Sequence, residues 1–472
     1  MTDPQSILVV PYWSQSDAVN FDSNYSFLRQ TIPEISRLKP EWLFFVLWPE
    51  TRSGADTWRY TSDGFWNDKI IPVRWPYDTS RSSSILSFNA RKFQEIDETY
   101  CPTVYWLHQV ESGFFFKRGY REQRGINGLP RIVTQHHYTA HRTRESEAEE
   151  SPSALLQMIG CLASDRIIAN STYASKMAME TFGHYLNLQT LSEIHKKTTV
   201  LRFGLVPKTL PETKPYPKPI ILYNHRFEGY KRPQITANII KKLKQKHQFE
   251  VWITQTTGQP VDDFPFDKTV GHPLRDQYLE NIAYPAINTM NSQHETFCIS
   301  ILDSIMLGHI PVVPRNLAFP EILPPKYPYL FDSTSQQELM LDNILSRWPE
   351  AYTQWSNPLK KWSREQFSLD KYAEAYASIL EEEALAWKQA QAKDSTIKGI
   401  LAVMEHYQEH SNTVPISVKN ATDDVRHKTG IGTQAFPYRR AIREFGSRGA
   451  QLLYHNQNLY LKFTSKTQGA TS

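Results

Sequence analysis

Short apolar runs rich in β-branched residues alternate with helix-length segments, and the whole pattern occurs twice along the chain. The first set lies at residues 6–11, 42–47, 103–107, 131–134 and 166–169; the second at 219–223, 249–254 and 286–289. Strands that are apolar on both faces need cover on both, and a mainly parallel sheet with crossover helices supplies it. Apolar residues at helical spacing over 26–35, 234–246, 274–282 and 369–390 provide such helices. Between the two sets stand Pro207, Pro211, Pro215, Pro217 and Pro219, a run that continues neither a helix nor a central strand. The expected organisation is an N-terminal Rossmann-like domain (1–207), a linker (208–218), a second Rossmann-like domain (219–365), helices packing back across both (366–410), and a basic extension (411–472).

The chain has 472 residues, too many for one core, and no internal repeat of the kind that marks a solenoid or propeller. With 12 Trp, 24 Tyr and 23 Phe against 22% charged residues, it carries enough apolar material to pack two domains. No stretch approaches the roughly 20 apolar residues of a membrane helix, and Met1-Thr2-Asp3-Pro4 lacks a basic leader, so a cytoplasmic protein without a membrane partner is expected. Cys101, Cys161 and Cys298 are widely spaced, which argues against a disulfide framework or a cysteine-based zinc site.

Net charge is only +4, yet residues 411–472 hold nine Lys/Arg against three acids, a net of +6. Within this tail 411–432 is polar and aperiodic and reads as a linker, 438–445 as a short basic helix, and 451–463 as a hairpin turning at 456–458. Arg439, Arg440, Arg443 and Arg448 are its candidate nucleic-acid contacts, and Tyr454 and Tyr460 its candidate stacking rings; a solvated tail closing against the first domain fits equally well.

Three segments can carry chemistry. The first, residues 294–314, opens with Glu295, Thr296, Phe297 and Cys298, brings a second acid at Asp303, and breaks at Gly308 before an apolar strand. Acids eight apart fall on one helix face. A helix start there presents N–H groups and positive dipole to an anion, while the acids bind hydroxyls. A first-turn acid with a solvent-facing one fits the spacing as well. The second segment, 222–233, carries Asn224, Arg226 and Lys231 at a strand-to-helix loop, a fork and a point charge suited to a diphosphate, though a solvated basic loop fits these residues equally well. In the third, His108 follows one strand of the first set and His136 and His137 another, so all three are placed at the carboxyl edge of that sheet as candidate sugar or acceptor contacts. No carboxylate is spaced to complete a metal site with them, and no metal is expected. Neither G-x-x-x-x-G-K-[ST] nor G-x-G-x-x-G occurs, which leaves P-loop phosphoryl transfer and dinucleotide redox chemistry without a motif.

Glu295-x7-Asp303 with Gly308 and the Pro-Val-Val-Pro strand resembles the Glu-x7-Glu signature of retaining glycosyltransferases of the GT-B fold, with Asp in place of the second Glu. Asn224-His-Arg226, His294-Glu295, and the run 310–324 with Tyr327 look closer still to the tRNA-queuosine mannosyltransferase family and related phage-type DNA glycosyltransferases. Tyr105-Trp-Leu-His108 and Asp165 through Ser171 extend this likeness patchily over residues 100 to 335. The first loop, 11–19, departs from it in having no glycine, and the chain contains no D-x-D. The resemblance implies an α/β GT-B fold, two Rossmann-like domains with a facing cleft, and transfer from a nucleotide-sugar, UDP favoured over GDP, without a cofactor. It also implies Arg226, Lys231 and Glu295 as catalytic residues; His137 is a further expected catalytic residue, and Asn224, Thr296, Phe297, Cys298 and Asp303 are expected further donor contacts. The expected acceptor is a hydroxymethylpyrimidine in DNA. Transfer to tRNA, a glycan, a lipid or a small metabolite is the alternative, and an inactive nucleic-acid-binding module of the same fold is a second.

Overall fold

The computed structural model describes residues 5–11, 23–50, 65–76, 90–108, 110–117, 130–137, 152–254, 263–272 and 275–393, with short stretches at 399, 402–404, 416–417, 420–421, 423–425, 450–455 and 458–463. The first loop and Arg439, Arg440, Arg443 and Arg448 lie outside them, as do the side chains of Tyr454 and Tyr460.

The first unit runs β1 (Ser6–Val10), α1 (Ser23–Leu38), β2 (Leu43–Glu50), β3 (Ile70–Pro76), α2 (Ala90–Tyr100), β4 (Val104–Leu107), β5 (Arg131–His136), α3 (Pro152–Ala163), β6 (Arg166–Ala169), α4 (Thr172–Phe182), α5 (Leu188–Lys197) and β7 (Thr198–Val200). Its seven strands are parallel in the order β3-β2-β1-β4-β5-β6-β7. The second runs β8 (Ile220–Tyr223), α6 (Pro233–Leu243), β9 (Glu250–Ile253), β10 (Lys268–Thr269), α7 (Arg275–Ile282), β11 (Ala286–Thr289), α8 (Ile299–Met306), β12 (Ile310–Pro314), α9 (Phe319–Ile322), β13 (Leu330–Phe331) and α10 (Thr334–Ser346). Its six strands are parallel too, in the order β10-β9-β8-β11-β12-β13.

Both orders reverse direction once, between β1 and β4 and between β8 and β11. At such a switch point neighbouring crossovers leave on opposite faces and a crevice opens beyond the strand ends. The strands flanking each crevice are buried throughout, Leu8, Val9, Trp106 and Leu107 in one sheet and Ile220 to Tyr223 in the other.

Two long helices follow, α11 (Glu350–Gln366) and α12 (Leu369–Lys393). The turn between them pairs Val206 with Phe367 and Leu369 through backbone hydrogen bonds, so α12 returns onto the first unit. There Trp106 Nε1 donates to Tyr376 Oη (2.8 Å), which donates to Gln135 Oε1 (2.9 Å), and the buried Glu383 receives both Arg131 and Arg166.

Two expectations are corrected. Residues 411–432 are not a featureless linker: β14 (Ile416–Ser417) pairs antiparallel with β16 (Asn458–Phe463), which pairs with β15 (Ala450–His455). Nor do Glu295 and Asp303 share a helix face, because α8 starts at Ile299 and Glu295 stands in the loop before it. Among the described residues no helix is long and apolar enough to cross a membrane.

Candidate active site

Strand β8 ends at the second switch point, and the chain leaving it carries the candidate cations. Arg226 is exposed, its guanidinium bound to Glu228 (2.9 Å) and to Tyr230 Oη (3.2 Å). Lys231 closes a short 3-10 turn and is buried. The next residue, Arg232, takes the left-handed conformation (φ 48°), which turns the chain so that Pro233 can open α6 with its φ already helical. Lys231 Nζ makes an ion pair with Glu295 Oε1, from the loop that follows β11. Burial opposes the Lys231 charge, but the Glu295 carboxylate more than offsets it, and the net shift holds the ammonium protonated.

Helix α8 begins beside this pair. Cys298 is its N-cap and makes no side-chain capping bond, so no side chain of the cap occupies the first-turn N–H groups. The Cys298 thiol is pushed up to about 12 by burial and then by Glu295, which leaves it a protonated packing group. Phe297 is buried edge-on against Phe203 (5.1 Å) and Phe367 (6.0 Å). Asp303 is buried one turn from the end of α8, and Arg275 grips both of its carboxylate oxygens (2.6 and 3.3 Å). Arg275 Nε also donates to Gln30 Oε1 of α1 (3.0 Å), bridging to the first unit. Asn224 does not project freely: its amide donates to the Ser300 carbonyl (2.8 Å) and accepts from Asn288.

The three histidines belong to the first unit. His108 follows β4, and its Nδ1 lies 2.7 Å from His137 Nε2, the residue after β5. Burial, then His136, lowers His137 to about 3, and burial, then His137, holds His108 well below its ordinary value, so both bases are neutral. His136 points elsewhere, into a buried chain in which Gln157 bonds both His136 (3.3 Å) and Glu111 (3.1 Å). Among the described residues no group of three or more His, Cys, Asp or Glu is placed to hold a metal ion.

The two units touch around these groups. Thr296 Oγ1 donates to the His137 carbonyl (2.7 Å), which also accepts from Asn170 (3.2 Å), and Ser171 Oγ donates to the Thr296 carbonyl. Glu321 accepts from the first two N–H groups of α4, Thr172 (2.8 Å) and Tyr173 (2.6 Å), a carboxylate at a helix N-terminus. The structure therefore links Lys231 to Glu295, Thr296 to His137 and His137 to His108 where the two units meet, and leaves Arg226 exposed. It engages Asn224, Phe297 and Asp303 in packing and hydrogen bonds, and it turns His136 away. Arg275 escaped sequence reasoning altogether: it is one cation at a helix start, and its partner follows 28 residues later.

No family model matches the chain. It is 24% identical to the tRNA-queuosine alpha-mannosyltransferase of Drosophila melanogaster, over 38% of this chain and 55% of that protein, so it spans about half the length of the curated relative it matches. Among solved structures it is similar to sucrose-phosphate synthase from Thermosynechococcus elongatus, with a TM-score of 0.61 at 12% identity, covering 82% of this chain and 100% of that one. It is also similar to HepE from Anabaena, in complex with UDP, with a TM-score of 0.53 at 11% identity, covering 80% and 100%. Together with the two parallel sheets, each with one switch point, these likenesses show that the chain has the GT-B fold.

Proposed function

We propose that the chain is a nucleotide-sugar-dependent glycosyltransferase whose donor diphosphate binds at the β8/β11 crevice and whose acceptor is a hydroxyl on a modified base in nucleic acid. The observation that carries this reading is the buried Lys231–Glu295 pair beside Arg226 and the start of α8. Positive charge and N–H groups converge there, where a departing diphosphate gathers negative charge.

In the proposed reaction the bond from the anomeric carbon to the donor phosphate oxygen breaks, and a bond from that carbon to the acceptor oxygen forms on the same face. The acceptor proton passes to the departing phosphate oxygen. Arg226, exchanging its Glu228 and Tyr230 contacts for the diphosphate, gives it a two-pronged grip, and Lys231 gives a point charge. Glu295 orients Lys231 and accepts from sugar hydroxyls. His137 faces the transferred sugar as a neutral hydrogen-bonding group, since burial keeps it uncharged. Retention rests on the resemblance to the Glu-x7-Glu enzymes, and UDP is favoured because HepE, a neighbour of the same fold, holds UDP.

Hydroxymethylpyrimidine in DNA is the first acceptor reading, supported by the likeness to phage-type DNA glycosyltransferases and by the +6 tail. A modified base in tRNA is the second, favoured by the similarity to the fly mannosyltransferase. The test offers UDP- and GDP-sugars with hydroxymethylated DNA, unmodified DNA and tRNA, then weighs the nucleosides after digestion. A hexose-sized mass increase on one nucleoside is expected. No product on any acceptor, with no hydrolysis of any donor, would instead fit a silent binding module of the same fold.

A further inference from the structure

Asn288 lies in the middle of β11, fully buried, and neither its sequence context nor the chemistry above gives it a task. Its contacts form a chain whose proton positions follow one from another. The Ser300 carbonyl can only accept, so Asn224 must turn its NH2 toward it (2.8 Å). Asn224 Oδ1 then faces Asn288, which must present its own NH2 there and to Ser304 Oγ (2.8 Å). Asn288 Oδ1 is thereby left facing His225 Nε2 (3.3 Å), so that nitrogen carries the proton. His225 Nδ1 is consequently bare and accepts from Ser300 Oγ, 2.8 Å away. Ser304 Oγ closes the set by donating to the Ser300 carbonyl (3.0 Å).

The two ends of this chain matter for the cleft. His225 immediately precedes Arg226 at the exit of β8, and Ser300 sits in the first turn of α8, two residues past its N-cap. The network therefore fixes the distance between the cation-bearing loop and the helix start from inside the sheet. We propose that Asn288 is a positioning residue of the donor site: it sets His225 as the Nε2–H tautomer and, through it, holds the Arg226 loop in register with the first turn of α8. Burial, then Lys231, keeps His225 neutral, the state in which a tautomer exists to be chosen. A buried network of this kind specifies one geometry only while every member is satisfied, so a single wrong hydrogen disturbs all of it.

This inference rests on the donor reading, and the test separates the two. Nitrogen NMR of the full chain with labelled histidines, His225 being assigned by its loss in His225→Asn, should show a protonated Nε2 and a bare Nδ1. Asn288→Asp preserves shape but replaces the NH2 facing Asn224 with an acceptor; it should change the His225 signal and lower kcat/KM for the nucleotide-sugar about tenfold or more, while KM for the acceptor stays within about twofold. A role in stability alone would leave both the tautomer and the donor-specific loss unexplained. Asn288→Ala should show the same selective loss. A wild-type Nδ1–H tautomer, or either variant folded with donor kcat/KM unchanged, would overturn the proposal. If neither variant folds, the wild-type tautomer decides. A wild-type chain that binds neither UDP nor GDP would overturn the donor reading, and Asn288's role with it, even with the tautomer as assigned.

Discussion

Lys231 and Glu295 are 8% and 7% exposed, and each makes the other's burial tolerable. Glu295→Gln should therefore lower donor use strongly, by on the order of 10²-fold in kcat/KM, since it both frees Lys231 from its partner and weakens the proposed sugar contact. Asp303→Asn should act differently. It leaves the buried guanidinium of Arg275 without its counter-charge, and the expected result is a loss of about 3 kcal/mol in unfolding free energy with a smaller effect on turnover. The opposite order of the two variants would mean that the roles of the acids are exchanged. The histidines give a second residue-scale prediction. His137 and His309 are held near 3 in the folded chain by burial, whereas the unfolded chain titrates at the ordinary value. As pH falls below about 6.5 the unfolded state takes up protons that the folded state refuses, so stability declines, by about 2 kcal/mol per histidine at pH 5. Thermal unfolding followed from pH 8 to 5 checks this; a constant midpoint would contradict it. At this scale the candidate cations and acids were legible because charged residues stand out at strand exits. Arg275, Asn288 and Glu321 were not, because their partners come 28, 64 and 149 residues away and are met only through the fold.

Helix α8 shows what local chemistry reveals about an element and what it does not. Its end was readable: Gly308 takes a left-handed conformation (φ 82°), its N–H bonds the Ile305 carbonyl (3.1 Å), and the His309 N–H bonds the Ser304 carbonyl (2.9 Å), a closed C-terminal motif. A Cβ at Gly308 would also sit 2.3 Å from Ser356 Oγ and 2.7 Å from Lys360 Cε. Gly308→Ala should accordingly destabilise the protein by more than the roughly 1 kcal/mol of backbone strain alone, which denaturant unfolding can measure; a neutral effect would show that α11 gives way without cost. The start of α8 was not readable, because Glu295 and Asp303 fit a helical period that the chain does not use. Strand β3 was missed for a related reason. It carries Pro72, Arg74 and Pro76 and occupies the edge of its sheet, where a strand need not be continuously apolar.

On the scale of the whole molecule, two parallel sheets with a proline-rich join were evident from the repeated pattern of buried strands, since that pattern admits few architectures. The contacts that set the sheets face to face, Thr296 with His137 and Glu321 with α4, leave no periodic trace. Helix α12 ties the assembly together, and Glu383→Gln, which weakens a carboxylate shared by Arg131 and Arg166, should cost about 2 kcal/mol of stability. The described strands of the tail pair only with one another, so removal of residues 411–472 should leave the two domains folded. In the proposed function that truncation raises KM for nucleic acid and flattens its salt dependence, with donor hydrolysis retained, because fewer counterions are released on binding. An unchanged salt slope would remove the tail from the interface. The central claim is that the crevice beyond β8 and β11 stabilises a departing diphosphate, and it is tested most directly by the rate of nucleoside diphosphate release in the presence of acceptor. Lys231→Ala and Arg226→Ala should each slow that release on the order of 10²-fold at saturating donor with the fold intact; near-normal release in both would contradict the assignment.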